Sequence, residues 1–584
     1  MTSASLDVRR LVQLAPALLV TTTALFALPD QAGGFRLAKW SAFGIALGAL
    51  GVALLVRPLP LRLPRSWWAL GVFVAAAVAL PAFSSSLALT HWPTALGTLS
   101  GLALFFVTVI ALGDDDNARR ANLVVLTACG GLCAVVVLLQ AAGLRWLTSD
   151  VYTGLEFRAP GTFGNPNWAA AYLAPLVPLS LGLAATATRR RWHYAAAALH
   201  TVATVATLSK GGALTLAAGL FVFAVLGRSV PRGRRLALLA VAAACAATAL
   251  ALAWHQDLPT QASWLRGRLF LWRAALFIVG EQPLSGAGLG GYPYAYGRAA
   301  AALIDGDPAV FMPLASVDFA HNDLLQFAAE GGLVTAAAFV AVVVAVLVGA
   351  HRRSDPLSRA VGAAVAALVV NGLADSPLRV PSTFVLFFFL LGWLSPSAPR
   401  AKSYRPLLGV IALLGVLQGV RFAAGNASWT LGREALGARR PAVSDLERAR
   451  FWLPEHGRSA SQYARALGRA GRFDDALAAS AVAASLRFDV DDEIFRRDLA
   501  SRSLGRAAAI TQWQDFSRRF PALVTPYLRL GALHLQANDR SAAIAAYEAV
   551  LANPQPTSRA QVARAQARGV LQSLLSKQRR TLDR

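Results

Sequence analysis

Cysteine, acidic residues and charge of any sign are scarce in this 584-residue sequence. Its three cysteines, Cys129, Cys133 and Cys245, fall inside apolar stretches, which excludes a disulfide framework or a thiolate metal site as the basis of the fold. Only 15% of residues are charged while 56% are hydrophobic, too few polar groups to cover a water-soluble protein of this length. Asp and Glu number 31 against 56 Lys and Arg. The resulting net charge of +25 would suit nucleic acid, but most arginines sit in short clusters between apolar runs. Membrane topology accounts for that pattern, and nucleic acid is excluded as a partner. No small-residue cleavage site follows the first apolar run, so that run is expected to be an uncleaved span rather than a signal peptide.

What the sequence does have is apolar runs of roughly 17–22 residues, the length that crosses about 30 Å of hydrocarbon as a helix. The expected spans are 11–28, 38–56, 68–84, 93–112, 121–142, 166–186, 192–208, 211–227, 236–254, 331–349, 357–374, 382–395 and 404–420. Charge alternates across them. With Arg9 and Arg10 inside, the inner loops hold twenty cations and the short outer loops six, namely Arg36, Lys39, Arg145, Arg158, Lys210 and Arg379. The N-terminus is therefore expected on the cytoplasmic side, and everything after Val420 on the other. The fold class is all-α: a polytopic bundle of about 13 spans followed by an α-solenoid.

The solenoid is read from 456 onward, where the composition turns to Ala, Arg and Leu at helical spacing. The stretch 527–554 reads as two short antiparallel helices, with small Gly531 and Ala543 at their approach and Tyr527, Leu530 and Tyr547 between them. This is the tetratricopeptide pattern. Ala476, in an earlier copy, lies 67 residues before Ala543, about twice the ~34-residue period, so a middle copy is expected around Gly505–Ile510. The expected division is N-terminal spans at 1–150, a catalytic membrane core at 151–420 with a large outer loop at 255–330, a linker at 421–455 and the repeats at 456–584.

Two outer segments, 143–165 and 255–330, are longer than a connection requires and are functional candidates. Within the second, 264–291 reads as an apolar helix bearing Arg266, Arg268 and Arg273, then a turn at Pro283 and a glycine-rich stretch, Gly286–Gly291. With Arg158 and Lys210 these arginines gather cations on a face that topology should leave poor in charge. A diphosphate ligand would account for them, because guanidinium matches phosphate oxygens in a bidentate fork. The second feature is 318–332, DFAHNDLLQFAAEGG. Here His321 is expected at the outer end of a short helix ended by Gly331-Gly332, with Asp318 on the same helical face and within reach of the imidazole. A histidine oriented by a carboxylate suits a general base for a hydroxyl.

RLFLWRAALFIVGEQPLSGAGLGGY followed by AHNDLLQFAAEGGL resembles the O-antigen ligase/polymerase superfamily of bacterial envelope glycosyltransferases. FRAPGTFGNPNWAAAYL, LSKGGALTL and DSPLRVPSTFVLFFFLLG follow the same resemblance, which covers roughly 150–400. It implies transfer of a glycan from an undecaprenyl-diphosphate carrier to an acceptor hydroxyl at the periplasmic face of the inner membrane, without metal or cofactor. His321 matches the family's catalytic histidine, and Arg268 the loop arginine that engages the diphosphate. Where the family usually has a Ser-Arg pair, this chain has Ser209-Lys210, which keeps the charge but loses the planar fork. The site expected is thus His321, Arg268 and Asp318 for catalysis, with Arg158, Lys210, Arg266 and Arg273 around the diphosphate. The acceptor stays open between a lipid, the growing glycan (a polymerase) and a protein (an O-oligosaccharyltransferase). The repeats are expected to hold either an acceptor or a protein partner. A flippase of lipid-linked substrate would need charges deep in the spans and two related halves, neither of which is evident.

Overall fold

The computed structural model describes residues 3–29, 35–56, 62–64, 67–82, 90–144, 158–226, 231–254, 258–306, 317–395, 397–399, 405–521, 523–553 and 558–582. Of the cations used for topology, Arg57, Arg65, Arg145, Arg228, Arg400 and Lys402 lie outside them, as do the side chains of Arg9, Arg62 and Arg405 and that of the diphosphate candidate Arg266. The described residues are helical almost throughout; the described strands are two three-residue segments, Arg62–Pro64 and Ser397–Pro399, paired antiparallel. Helix is what the apolar runs require, because a backbone in hydrocarbon must bond within its own segment. Among the described residues six helices are long and apolar enough to cross a membrane: Leu37–Val56, His91–Leu112, Asp116–Ala141, Pro166–Thr186, Asp323–Arg352 and Pro406–Gly437. Five shorter apolar helices accompany them, at Arg10–Leu25, Leu70–Pro81, Lys210–Leu226, Pro356–Gly372 and Pro381–Leu394. The expected spans at 192–208 and 236–254 fall on the helices Arg190–Ala206 and Arg232–Trp254, outside both groups.

The chain divides into two compact units, Met1–Tyr292 with Phe319–Glu455, and Pro293–Asp318 with His456–Arg584. In the first, the helix Leu37–Val56 packs closely on Arg405–Gly437. A Cβ on Gly44 would lie 2.3 Å from Gly419 N, and one on Gly415 would lie 2.3 Å from Gly48 N. Each helix thus offers a small-x-x-x-small face that lets the two backbones touch, the usual means of association where burial of apolar surface gives no driving force. Leu132, Leu139, Phe221, Val344, Leu413 and Leu417 are exposed on this unit, as lipid-facing residues should be. The stretch 421–455, expected to be a linker, is helical. Arg405–Gly437 runs through it, Val443–Trp452 follows, and Arg421 grips Glu455 with two hydrogen bonds of 3.0 and 2.8 Å.

The second unit is an array of helical hairpins: Gly457–Arg469 with Phe473–Leu486, Val490–Ser503 with Arg506–Arg519, and Val524–Gln536 with Arg540–Ala552, then a final helix Ser558–Leu582. Ala476, Ala509 and Ala543 are each buried at the same point of successive hairpins. Ala509 belongs to the middle copy, in a helix that starts after Gly505. Gly531 admits the Tyr547 ring, which a Cβ there would meet at 2.7 Å. The helix Tyr292–Gly306 joins this unit through Pro293, whose carbonyl accepts from Phe488 N at 3.0 Å.

Candidate active site

The site is built around the helix Asp323–Arg352 and the residues just before it. Asn322 caps the helix, accepting from Leu325 N at 3.0 Å, and donates through Nδ2 to Leu373 O at 3.0 Å. Gln326 Oε1 accepts from Ala320 N at 2.6 Å. Between these two anchors His321 takes a left-handed backbone, φ +52°, uncommon for a residue with a Cβ. His321 is therefore not at the end of a helix, as expected, but outside the cap. Nor does a helical face carry Asp318, since 317–320 is not helical. Asp318 falls in the second unit, where its carboxylate pairs with Arg458 at 3.2 Å.

The carboxylate that meets His321 is Asp375, whose Oδ1 lies 2.7 Å from Nδ1. Asp375 follows the helix Pro356–Gly372; its N–H donates to Asn371 O at 2.9 Å, and its own Oδ1 accepts from Ser376 N at 2.9 Å. Burial pushes its pKa up, and the Arg268 charge opposes that shift. The converse holds for Arg268: burial lowers its pKa and Asp375 raises it. Asp375 thus contacts His321 directly and feels the charge of Arg268.

Arg268 sits on Leu258–Glu281, whose inner face is Phe270, Leu271, Ala274, Ala275 and Ile278, all buried. Arg273 lies on the opposite, exposed face with Leu269 and Leu276, away from that inner row. After Pro283 the glycine-rich stretch packs on the helix 323–352 where it breaks. Gly332 has φ +79° and ψ 174°, so Gly331-Gly332 kinks the helix rather than ending it. The carbonyls freed there are met by the glycine-rich backbone: Ala287 N donates to Ala329 O at 2.8 Å and Gly288 N to Glu330 O at 2.9 Å. Leu333 N in turn donates to Pro283 O at 2.7 Å. A Cβ at Gly332 would lie 2.1 Å from Leu284 O, so backbone has to meet backbone here. Below the break Glu330 is buried and pairs with Arg379 at 2.6 Å while accepting from Gln326 at 2.7 Å.

Arg158 and Lys210 belong to a neighbouring network. Arg158 donates to Thr207 O and to Asn167 Oδ1, both at 3.0 Å, and Asn167 Oδ1 also accepts from Ser209 Oγ at 2.9 Å. The helix begun by Lys210 reaches the Asp375 turn through Thr215, whose hydroxyl accepts from Asn371 Nδ2 at 2.7 Å. Sequence reasoning missed Asp375 and the Glu330–Arg379 pair. The available signal was an acid and a base in ADSPLRV, between two apolar runs, where topology favours neutral residues.

The comparison with curated proteins gives no match. The solved structure of yeast Tom70 aligns with 93% of this chain and 90% of its own at 12% identity, but at a TM-score of 0.24, which bears on neither fold nor function. The family model described as O-antigen ligase matches residues 195–340, a stretch that includes both Arg268 and His321. Residues 195–340 are thus similar to the O-antigen ligase family, in a chain whose described residues are mostly helical and include six helices long and apolar enough to cross a membrane.

Proposed function

We propose that this chain transfers a glycan from an undecaprenyl-diphosphate carrier to an acceptor hydroxyl on the outer side of the inner membrane. The observation that carries the reading is Asp375, which lies 2.7 Å from His321 Nδ1 and shares its charge environment with Arg268. A carboxylate on Nδ1 fixes the tautomer with its proton there, and leaves the Nε2 lone pair to act as base. The acceptor hydroxyl gives its proton to Nε2 while its oxygen bonds to the anomeric carbon. The bond from that carbon to the diphosphate oxygen breaks, and the electron pair leaves with undecaprenyl diphosphate. Arg268 meets the charge that the leaving group gains, with Arg158, Lys210 and Arg266 as further anion contacts. Direct displacement inverts the anomeric configuration. Guanidinium and ammonium groups supply the counter-charge, so the reaction is proposed to run without a metal or other cofactor.

The test is transfer by the purified protein in liposomes with lipid-linked glycan, scanned over pH with and without chelator. His321→Ala should lower turnover by roughly 10²–10⁴-fold, the usual worth of a general base, with donor binding little changed. Wild-type activity should rise with pH, because the base works only when neutral. Wild-type turnover in His321→Ala, or loss of activity on chelation, would overturn the reading.

A further inference from the structure

The glycine-rich stretch is also held from a second side, by residues that the transfer chemistry leaves unused. The helices Trp67–Ala82 and His91–Leu112 meet it at Leu289, which is buried with Ala77 and Ala95. His91, fully buried at the start of its helix, ties the three elements together. Leu289 N donates to His91 Nδ1, and His91 Nε2 donates to Val78 O, each at 3.1 Å. Beside it Thr90 Oγ1 donates to Leu289 O, also at 3.1 Å. Two adjacent side chains thus take both backbone groups of Leu289. Gly290, at φ +70°, brings the backbone so close that a Cβ there would lie 2.6 Å from Thr94 Oγ1.

These two partners fix the state of the imidazole. A backbone N–H can only donate and a carbonyl can only accept, so His91 is neutral with its proton on Nε2. Protonation would set a second N–H opposite that of Leu289 and break the bond. Neither of the two helices carries another titratable side chain. On the glycine-rich side the titratable group is Tyr292, whose hydroxyl donates to Leu271 O at 3.0 Å. On the helix Asp323–Arg352 it is Glu330, which is paired with Arg379.

From Leu289 an unbroken chain of contacts runs to the general base. The next residue back, Gly288, donates through its N–H to Glu330 O at 2.9 Å. The Glu330 carboxylate accepts from Gln326 Nε2 at 2.7 Å, and Gln326 Oε1 accepts from Ala320 N at 2.6 Å, directly before His321. That last bond is one of the two anchors of the left-handed turn at His321. We propose that His91 is a positioning residue for His321: neutral, it staples Leu289 and so holds the glycine-rich backbone against Glu330; protonated, it releases the staple. The catalytic half of this rests on His321 being the base, whereas the staple itself does not.

Amide hydrogen exchange of the full-length protein in nanodiscs tests the staple, read over residues 284–292 as protection relative to an unstructured peptide. In the wild type, protection should fall roughly tenfold between about pH 8 and about pH 5, the range in which histidine titrates. His91→Asn keeps an acceptor near the Nδ1 position and does not titrate, so its protection should stay level across that range. His91→Phe removes the acceptor and should lose protection at every pH. Single-turnover transfer then tests the positioning: His91→Phe should be slower by roughly tenfold, and His91→Asn should recover most of that loss. Wild-type protection that stays level with pH, His91→Asn as unprotected as His91→Phe, or full turnover in an unprotected His91→Phe would each overturn the proposal. A pH dependence abolished in His321→Ala rather than in His91→Asn would overturn it too, by assigning the titration to the other histidine. The wild-type and His91→Asn arms decide the matter even where His91→Phe does not insert. If His321→Ala transfers at the wild-type rate while the exchange results hold, the transfer reading fails and the staple stands.

Discussion

Replacing Asp375 with Asn removes one charge and keeps the shape, so it isolates what the carboxylate does for His321. The two groups are 2.7 Å apart, with 34% of the imidazole and 16% of the carboxylate exposed. When His321 accepts the acceptor's proton it becomes a cation beside that carboxylate. At an effective dielectric constant near 20 and about 4 Å between charge centres, the attraction is roughly 4 kcal/mol. The part-exposed ring is screened by solvent, which brings this to about 2–3 kcal/mol. At ~1.4 kcal/mol per decade, turnover of Asp375→Asn should fall roughly 30- to 150-fold. Single-turnover transfer with pre-bound lipid-linked glycan is the assay, since it separates chemistry from donor binding. Asp318→Asn is the paired control. Its carboxylate is part-exposed and pairs with Arg458 at 3.2 Å, an arrangement worth about 0–1 kcal/mol to stability, and turnover should stay near wild type. A full-rate Asp375→Asn together with a slow Asp318→Asn would refute the assignment of the orienting acid.

Arg268→Lys should retain little activity, because an ammonium cannot replace a bidentate fork; full activity measured in the same assay would reduce Arg268 to a general counter-charge. Lys210→Arg should be tolerated or raise turnover, and a large loss would place Lys210 in a different contact. Burial raises the Asp375 pKa and Arg268 opposes it, so Arg268→Ala should raise it further. The ionised form of Asp375 is then lost at a higher pH as pH falls, which carboxyl infrared difference spectra would show as an upward-shifted midpoint. Gly332→Ala combines a disfavoured φ of +79° with a Cβ 2.1 Å from Leu284 O, and should destabilise the membrane unit by roughly 2–4 kcal/mol in detergent unfolding. Reporter fusions near Pro308 should read as extracytoplasmic, and a cytoplasmic signal there would invert the proposed topology.

Elements that depend on local sequence were legible. Apolar run length marked the long helices, and alanines at fixed spacing marked the hairpins, because each hairpin repeats the same close approach. His321 and Arg268 stood out because they are polar where neutral residues are favoured. Contacts that join distant parts of the chain were not legible. Asp375 reaches His321 across 54 residues of sequence, through a left-handed turn that no helical spacing implies. Asp318 looked better because three-residue spacing would put it on the histidine's face of a helix, and the segment is not helical. The pair Gly331-Gly332 reads as a helix end, yet the helix goes on because the backbone at Ala287 and Gly288 takes the carbonyls that the kink releases.

The second unit is discontinuous in the chain, and this has a consequence for biosynthesis. Pro293–Asp318 emerges from the ribosome well ahead of His456–Arg584, although the two stretches form one compact body. Pro293 must wait for Phe488, 195 residues later, before its carbonyl meets its partner. At ~5–20 residues per second that is an interval of roughly ten to forty seconds. Throughout it, Tyr296 lacks the Phe488 ring that stands 6.5 Å away in the finished protein. A nascent chain stalled before the repeats should therefore expose this segment to proteases and chaperones, and the last part synthesised completes a segment that begins directly after Tyr292.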